Sequence, residues 1–356
     1  GLFYIYTSGT TGLPKAVIFA HSRWTLAYGT YGHILALTSD DVMYCTLPLY
    51  HATGIVVCWC GVIAGSATLA LRRKYSTSAF WKDVQKFDAS AIGYVGELCR
   101  YLMDAPSSEL ERGQRGKKMN GNGMRANIWD KFRQRFGGEE ILELYASSEG
   151  NVGFSNIFNF DNTVGFSPTP YAIIEFDKES NAPVKDAQGW CKKVKKGEVG
   201  LLVGKITRRS PFDGYTDPEK NKSVIMKDVF TQGDSFFNTG DLVRDIGFRH
   251  AQFVDRLGDT YRWKGENVST TEVENAVSEY EKIAEAVVYG VEIPNTNGRA
   301  GMAAITLADN AEFTEHDLQQ MATEFKKCLP AYAVPVFLRI QVHVETTGTF
   351  KYQKNT

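Results

Sequence analysis

From Phe3 to Ile225 the chain alternates short apolar runs with stretches whose apolar positions recur every three or four residues. Leu2–Tyr6, Val42–Leu47, Ala67–Leu71, Ala91–Tyr94 and Ile141–Tyr145 are compact apolar runs and read as strands. Among the stretches between them, Ala126–Phe136 puts Ile128, Trp129, Phe132 and Phe136 on one side and Asp130, Lys131, Arg133 and Arg135 on the other, the pattern of an amphipathic helix. Such alternation predicts a layered α/β unit. Ahead of that helix, Arg112–Asn122 is rich in glycine and basic residues and reads as a solvated loop. After Gly165 the texture becomes hairpin-like, with runs at Ala172–Phe176 and Val199–Val203, a turn at Asp186-Ala187-Gln188-Gly189, and a lysine cluster, Lys192 to Lys196, suited to an exposed edge.

A further change comes near Leu257, where a strand-like Phe253–Leu257 gives way to Gly258-Asp259. Ser269-Thr270-Thr271-Glu272 has the form of a capping box opening a helix with Val273, Ala276, Val277 and Tyr280 on one face. Strands at Ala284–Val291 and Ala303–Leu307 follow, then a helix from Thr314 with Leu318, Met321, Ala322, Phe325 and Leu329 turned inward. The expected organisation is a large α/β domain over residues 1–257 and a small α+β domain over 258–356.

Val42 to Leu71 carries no formal charge and is closed by Arg72-Arg73-Lys74, which is how a membrane span with a basic flank looks. Pro48, Gly54, Gly61, Gly65 and Ser66 interrupt it, however. A buried helix from Ile55 to Ala64 running into a buried strand, Ala67 to Leu71, is the expected structure.

Composition narrows the function classes. With 43% hydrophobic and 23% charged residues the chain can fold rather than remain disordered, and 40 basic against 41 acidic residues leave no global field that would attract nucleic acid. The six cysteines include no C-x-x-C pair and the six histidines stand far apart, so neither a disulfide framework nor a zinc site is expected. The sequence opens at Gly1 with no leader-like segment and is expected to be a piece of a longer chain.

The most informative run is Tyr4-Ile5-Tyr6-Thr7-Ser8-Gly9-Thr10-Thr11-Gly12-Leu13-Pro14-Lys15. A strand feeds a loop whose glycines let backbone approach an anion, whose hydroxyls can donate to phosphate oxygens, and whose Lys15 supplies charge. Ala16 after that lysine excludes a Walker A loop. This run resembles the phosphate-binding loop of the adenylate-forming superfamily of acyl-CoA synthetases, adenylation domains and luciferases. L-P-L-Y-H-A-T-G (Leu47–Gly54), Y-A-S-S-E-G-N (Tyr145–Asn151), N-T-G-D (Asn238–Asp241), the long run Asp255–Glu274 and T-G-T-F-K-Y-Q-K (Thr347–Lys354) agree with it in order and spacing. Tyr94–Leu102, Asn122–Trp129 and W-K-G-E-N-V-S-T-T-E-V-E resemble more particularly the fatty acid transport protein and very-long-chain acyl-CoA synthetase branch.

The resemblance implies a large AMP-binding domain, incomplete at its N-terminus, with a smaller mobile C-terminal lid. It implies ATP, Mg²⁺ and CoA, with a fatty acid as the group activated. Glu149 would hold Mg²⁺, Tyr145 lie on adenine, Ser148 touch phosphate, and Asp241 grip the ribose with Arg256 as a second donor. The family usually has Gly and Thr where Ala146 and Ser148 stand; Ser148 keeps the hydroxyl, while Ala146 would crowd the nucleotide. A hinge would fall between Arg256 and Asp259, and Lys264 and Gly265 would border the CoA channel after the lid swings. Lys351 is the candidate catalytic lysine, with Lys354 its rival because Phe350 stands where relatives have Gly. His51 either lines the acyl pocket or is a core histidine bonded to backbone.

Two readings of function follow. One is an AMP-forming ligase that makes an acyl-adenylate and then an acyl-CoA. The other is a membrane-bound fatty acid carrier whose nucleotide binding is regulatory. For either, the resemblance implies association with plasma membrane, endoplasmic reticulum, lipid droplet or peroxisome through a segment upstream of Gly1, and no nucleic acid partner.

Overall fold

The computed structural model describes all residues except 8–14, 114, 116–117, 125, 149, 178–179, 181, 258–259, 264–265, 295–297, 309–310 and 343–356. It opens with an antiparallel hairpin of β1 (Phe3–Thr7) and β2 (Lys15–Phe19), with Phe3 opposite Phe19 and Thr7 opposite Lys15. Helix α1 (His21–Leu35) follows. Ile5 and Phe19 pack with Ala27, Val56 and Cys60 into a small core of their own.

Five strands, β3 (Val42–Cys45), β4 (Thr68–Leu71), β5 (Ala91–Val95), β6 (Lys118–Asn122) and β7 (Glu140–Ala146), pair in parallel in the order β4-β3-β5-β6-β7. Their connections include a π-helical stretch, Thr53–Trp59, that continues into α2 (Cys60–Gly65), and helices α3 (Thr77–Lys86), α4 (Gly96–Asp104) and α5 (Ala126–Phe136). Helix α5 forms as its periodicity predicts. Trp129, Phe132 and Phe136 are buried against Phe80, Trp81 and Ile141, each ring contributing about 2–3 kcal/mol of transfer free energy.

Two expectations for this half need correction. The run Ala67–Leu71 is not a buried strand, because β4 is the sheet edge and shows only Ala70 fully to the interior, with Thr68 and Leu71 exposed. The Arg112–Asn122 loop ends in a central strand, β6, whose Met119, Asn120 and Gly121 are buried between β5 and β7. Lys118 turns its amine to the Leu35 carbonyl at 3.1 Å. No β-branched residue announces this strand; its two neighbours impose it. Among the described residues no helix is long and apolar enough to cross a membrane.

Beyond β7 the same sheet turns antiparallel. After β8 (Gly153–Ser155), β9 (Gly165–Phe166) and β10 (Tyr171–Ile174) comes a separate small pair, β11 (Phe176–Asp177) and β12 (Ala182–Pro183). Then follow β13 (Val199–Lys205), α6 (Pro218–Val224), β14 (Ile225–Lys227), β15 (Ser235–Gly247) and β16 (His250–Arg256). The strand order runs β7-β8-β9-β16-β15-β13-β10, with β14 on β15. The β15–β16 hairpin closes on only two residues, Phe248 and Arg249, with φ of 50° and 61°. That is the conformation for which Asn-Gly is preferred, and side chains with a Cβ cost about 1–2 kcal/mol each there.

The carboxy-terminal elements are β17 (Tyr261–Trp263), β18 (Glu266–Val268), α7 (Thr270–Ser278), β19 (Ile283–Glu292), β20 (Arg299–Leu307), α8 (Glu315–Cys328) and β21 (Phe337–Ile340). They form a smaller α+β unit with its own core of Val273, Val277, Val288, Ile305, Met321, Phe325 and Leu329. Leu318, expected inward, is 46% exposed; Asp317 is buried instead, bonded to Thr314, Lys282 and Tyr280. Arg100 of α4 reaches this unit, donating to the Ala284 carbonyl and to Glu285 of β19.

Candidate functional site

The parallel strands β5, β6 and β7 all end on one side, and a cavity of about 620 Å³ opens there, closed from above by the first turn of α7. Crevices at the carboxyl ends of parallel strands are the usual ligand sites of open α/β sheets. His51, Trp129, Tyr145, Ala146, Arg256 and Glu272 are among its lining residues.

Tyr145 and Arg256 line this cavity and both contact Asp241 behind its wall. Asp241 lies within β15, and not in a turn as Thr239-Gly240-Asp241 suggests on its own, and is 3% exposed. Cross-strand register sets Arg256 opposite it, and the Arg256 Nε lies 3.3 Å from Asp241 Oδ1. The Tyr145 hydroxyl donates to Asp241 Oδ2 at 2.6 Å. Gly240, with φ of 72°, supplies the local kink, and Thr239 accepts the Asp241 amide at 3.0 Å while donating to the Leu202 carbonyl at 2.8 Å. Burial, then the Asp241 charge, pushes the Tyr145 phenol well above its ordinary range, so it remains a donor. A buried carboxylate of this kind, directly behind the lining residues Tyr145 and Arg256, can accept from vicinal hydroxyls that reach it.

Glu143, two residues before Tyr145, received no attention from motif reasoning. It is fully enclosed and accepts the Gly123 and Met124 amides on Oε1, with the Tyr94 hydroxyl bonded to Oε2. One side chain thus ties the ends of β5, β6 and β7 together at the cavity wall. The approach is tight: a Cβ on Gly96 would fall on the Gly123 carbonyl oxygen. Burial lifts the Glu143 carboxyl from 4.5 to about 8, outweighing the three hydrogen bonds that oppose the shift. The folded state therefore holds a proton that the unfolded chain releases near 4.5. Its contribution to stability is full below pH 4.5 and is lost as pH rises toward 8. Glu143→Gln is expected to flatten the decline in melting temperature between pH 5 and 8; an unchanged slope in the variant would refute this assignment. The only sequence signal was an acid inside an apolar strand, I-L-E-L-Y.

His51, half-buried, lines the cavity, and its Nδ1 accepts the Thr53 amide at a long 3.4 Å. Thr53 in turn donates to Asn122 Oδ1 at 2.9 Å and fixes this turn to the end of β6. The Ser148 carbonyl, and that of Ser147 at 3.3 Å, accept from Arg23 of α1, a residue the sequence reading passed over. Arg23 thereby holds the segment leading to Glu149. Ala146 is exposed at the cavity wall.

Ser269 accepts the Glu272 amide at 3.2 Å, which is one half of the predicted capping box. Its own proton goes to Asp255 at 2.5 Å, and Thr271 donates to the same carboxylate at 3.2 Å. Asp255 was also missed. It is buried and couples the end of β16 to α7, while Glu272 lines the cavity.

Several other predicted site residues among the described ones are not lining residues of this cavity. Tyr4 and Tyr6 are 60% and 66% exposed, Ile5 is buried in the hairpin core, and Thr7 and Lys15 face each other across the hairpin. Ser8, Gly9, Thr10, Thr11, Gly12, Leu13, Pro14, Glu149, Gly258, Lys264, Gly265, Lys351 and Lys354 lie outside the described residues. Among the described residues no group of three acidic, histidine or cysteine side chains is arranged to hold a metal.

The profile of AMP-binding enzymes matches residues 2–202, and that of the AMP-binding enzyme C-terminal domain matches residues 272–351. The chain belongs to the AMP-binding enzyme family. It is 47% identical over 353 residues to the medium/long-chain-fatty-acid–CoA ligase FadD6 of Mycobacterium tuberculosis, covering 99% of this chain and 59% of that protein. It is 46% identical to long-chain fatty acid transport protein 2 of Rattus norvegicus, covering 99% of this chain and 57% of the relative. The chain thus spans under three-fifths of the length of these relatives. Its fold is that of ATP-bound MatB from Rhodopseudomonas palustris, with a TM-score of 0.80 over 99% of this chain and 66% of that one at 21% identity. An o-succinylbenzoate CoA synthetase of Bacillus subtilis, solved with ATP and a magnesium ion, matches with a TM-score of 0.72 at 20% identity, over 99% of this chain and 68% of that one.

Proposed function

We propose that the complete protein is an AMP-forming ligase that activates medium- to very-long-chain fatty acids, first as acyl-adenylate with release of pyrophosphate, then as acyl-CoA. The observation that carries this reading is the buried Asp241 held between Tyr145 and Arg256, two residues that line the cavity. In this proposal Asp241 accepts the ribose hydroxyls and Arg256 helps orient the nucleotide. The polar groups fit a nucleotide, being concentrated where β15 and β16 meet the end of β7, while Trp129, Met124 and Val95 offer an apolar wall to an acyl chain. Mg²⁺ would supply charge at the transferred phosphate through Glu149, and Lys351 or Lys354 a cation at the α-phosphate. The small unit, divided from the large one near Leu257, would present Lys264 and Gly265 to CoA after rotating.

The names of the relatives support a fatty acyl substrate, and those called transport proteins support coupling to uptake at a membrane. The test is pyrophosphate exchange by the complete protein with Mg-ATP and fatty acids of graded length. Acid-dependent exchange is expected, and Lys351→Ala should remove it while conversion of supplied acyl-adenylate and CoA to thioester continues. Nucleotide binding without acid-dependent exchange would favour the carrier reading.

A further inference from the structure

Away from the cavity, the β15–β16 turn carries Phe248, 87% exposed, on a two-residue loop whose left-handed backbone suits neither Phe nor Arg. Phe158 and Phe160, 54% and 57% exposed, stand beside it with their rings stacked 5.9 Å apart. Together with Phe166 and Ile246 they form an apolar cup of about 400 Å³. His250 forms the floor: three Phe rings lie 5.5–5.8 Å from its own, and its Nδ1 is 2.8 Å from the Phe248 carbonyl. This packing fixes the base of the turn while leaving its aromatic tip outside.

The rim is cationic. The Lys196 amine lies 5.7 Å above the Phe248 ring, and the Arg249 guanidinium sits 5.1 Å from the Tyr171 ring and 6.0 Å from Phe166. Among the described residues neither forms an ion pair, while Arg249 is held to the backbone, donating to the Ser167 carbonyl at 2.7 Å and the Thr169 carbonyl at 2.6 Å. The acids nearby are engaged: Asp161 by Arg133 at 2.6 Å, Asp245 by the Gly247 amide at 2.8 Å and Glu198 by the Lys195 amide at 2.7 Å. Projecting aromatic rings flanked by cationic side chains match the boundary of an anionic bilayer, where rings enter below the headgroups and cations stay among the phosphates.

We infer that this hairpin tip, with Phe158 and Phe160, docks the protein on anionic lipid bilayers. The surface belongs to the described fold and does not depend on the ligase reading. The experiment is co-sedimentation of the complete protein with vesicles of phosphatidylcholine alone or mixed equally with phosphatidylserine. Phe248→Ser should weaken partitioning to the mixed vesicles by about tenfold. Lys196→Gln should weaken it by about fivefold and reduce its dependence on salt. Phe248 is solvent-exposed in the turn, so the fold should survive. Leu318→Ser, at another half-exposed apolar position, should leave partitioning unchanged. Equal partitioning of Phe248→Ser and the parent protein overturns the proposal. A Phe248→Ser effect confined to self-association in sedimentation velocity also overturns it, and makes the patch a contact between copies of this chain.

Discussion

Asp241→Asn is expected to cut acid-dependent pyrophosphate exchange by about a hundredfold or more, mainly through the apparent affinity for ATP. The carboxylate receives the Tyr145 hydroxyl at 2.6 Å and faces Arg256 at 3.3 Å. An amide keeps the volume but removes the charge, and in either orientation its NH₂ confronts one of two donors. Charge-assisted hydrogen bonds contribute about 1.5–3 kcal/mol each, so losing those proposed to the ribose amounts to about 3–6 kcal/mol. Tyr145→Phe is the milder companion, expected to reduce exchange by about tenfold because Arg256 still faces Asp241. Exchange rates measured against ATP concentration distinguish binding from turnover. An Asp241→Asn protein with unaltered rates would remove Asp241 from the nucleotide site.

The second large effect is structural. Arg100, 8% exposed in its side chain, is bonded to Glu97 at 2.9 Å, Asp104 at 2.8 Å, Glu285 at 2.5 Å and the Ala284 carbonyl at 3.1 Å. It is the cation that lets three carboxylates share one place. Arg100→Ala would leave Glu97 and Glu285 largely desolvated and mutually repelling, a loss of about 3–5 kcal/mol. Arg100→Lys keeps the charge but lacks the planar fork and should cost about half as much. Adding Glu285→Gln to Arg100→Ala should recover part of the loss, since one of the stranded charges is gone. Denaturant unfolding of the four proteins checks this. An Arg100→Ala midpoint equal to the parent's would show that the cluster contributes nothing net.

Much of the fold was legible because local periodicity and burial coincide. Helix α5 could be read from Ile128, Trp129, Phe132 and Phe136, and α7 from Ser269 and its inward valines. Where one element is covered on both sides by others, its own residues need not announce it. Strand β6, K-M-N-G-N, has no strand-like composition, yet Gly121 fits because a Cβ there would strike the Tyr94 carbonyl. The reverse error occurred at β4, where apolar residues suggested a buried strand and the sheet simply ends.

The sequence by itself determined the family, since its motifs keep order and spacing along nearly the whole chain, and it named Tyr145, Asp241 and Arg256 as candidates. Only the tertiary structure decided that these three touch. Ninety-six residues separate Tyr145 from Asp241, and the hydrogen bond between them depends on the register of β15 with β16 and on the path of the sheet from β7 through β8 and β9. The same is true of Glu143, Arg100 and Asp255. Each is an ordinary charged residue in its local sequence, and each takes its meaning from burial beside donors contributed by distant segments. Local pattern encodes which face of an element is apolar; it does not encode which polar groups will share a low-dielectric space, and that sharing sets their charge and their chemistry.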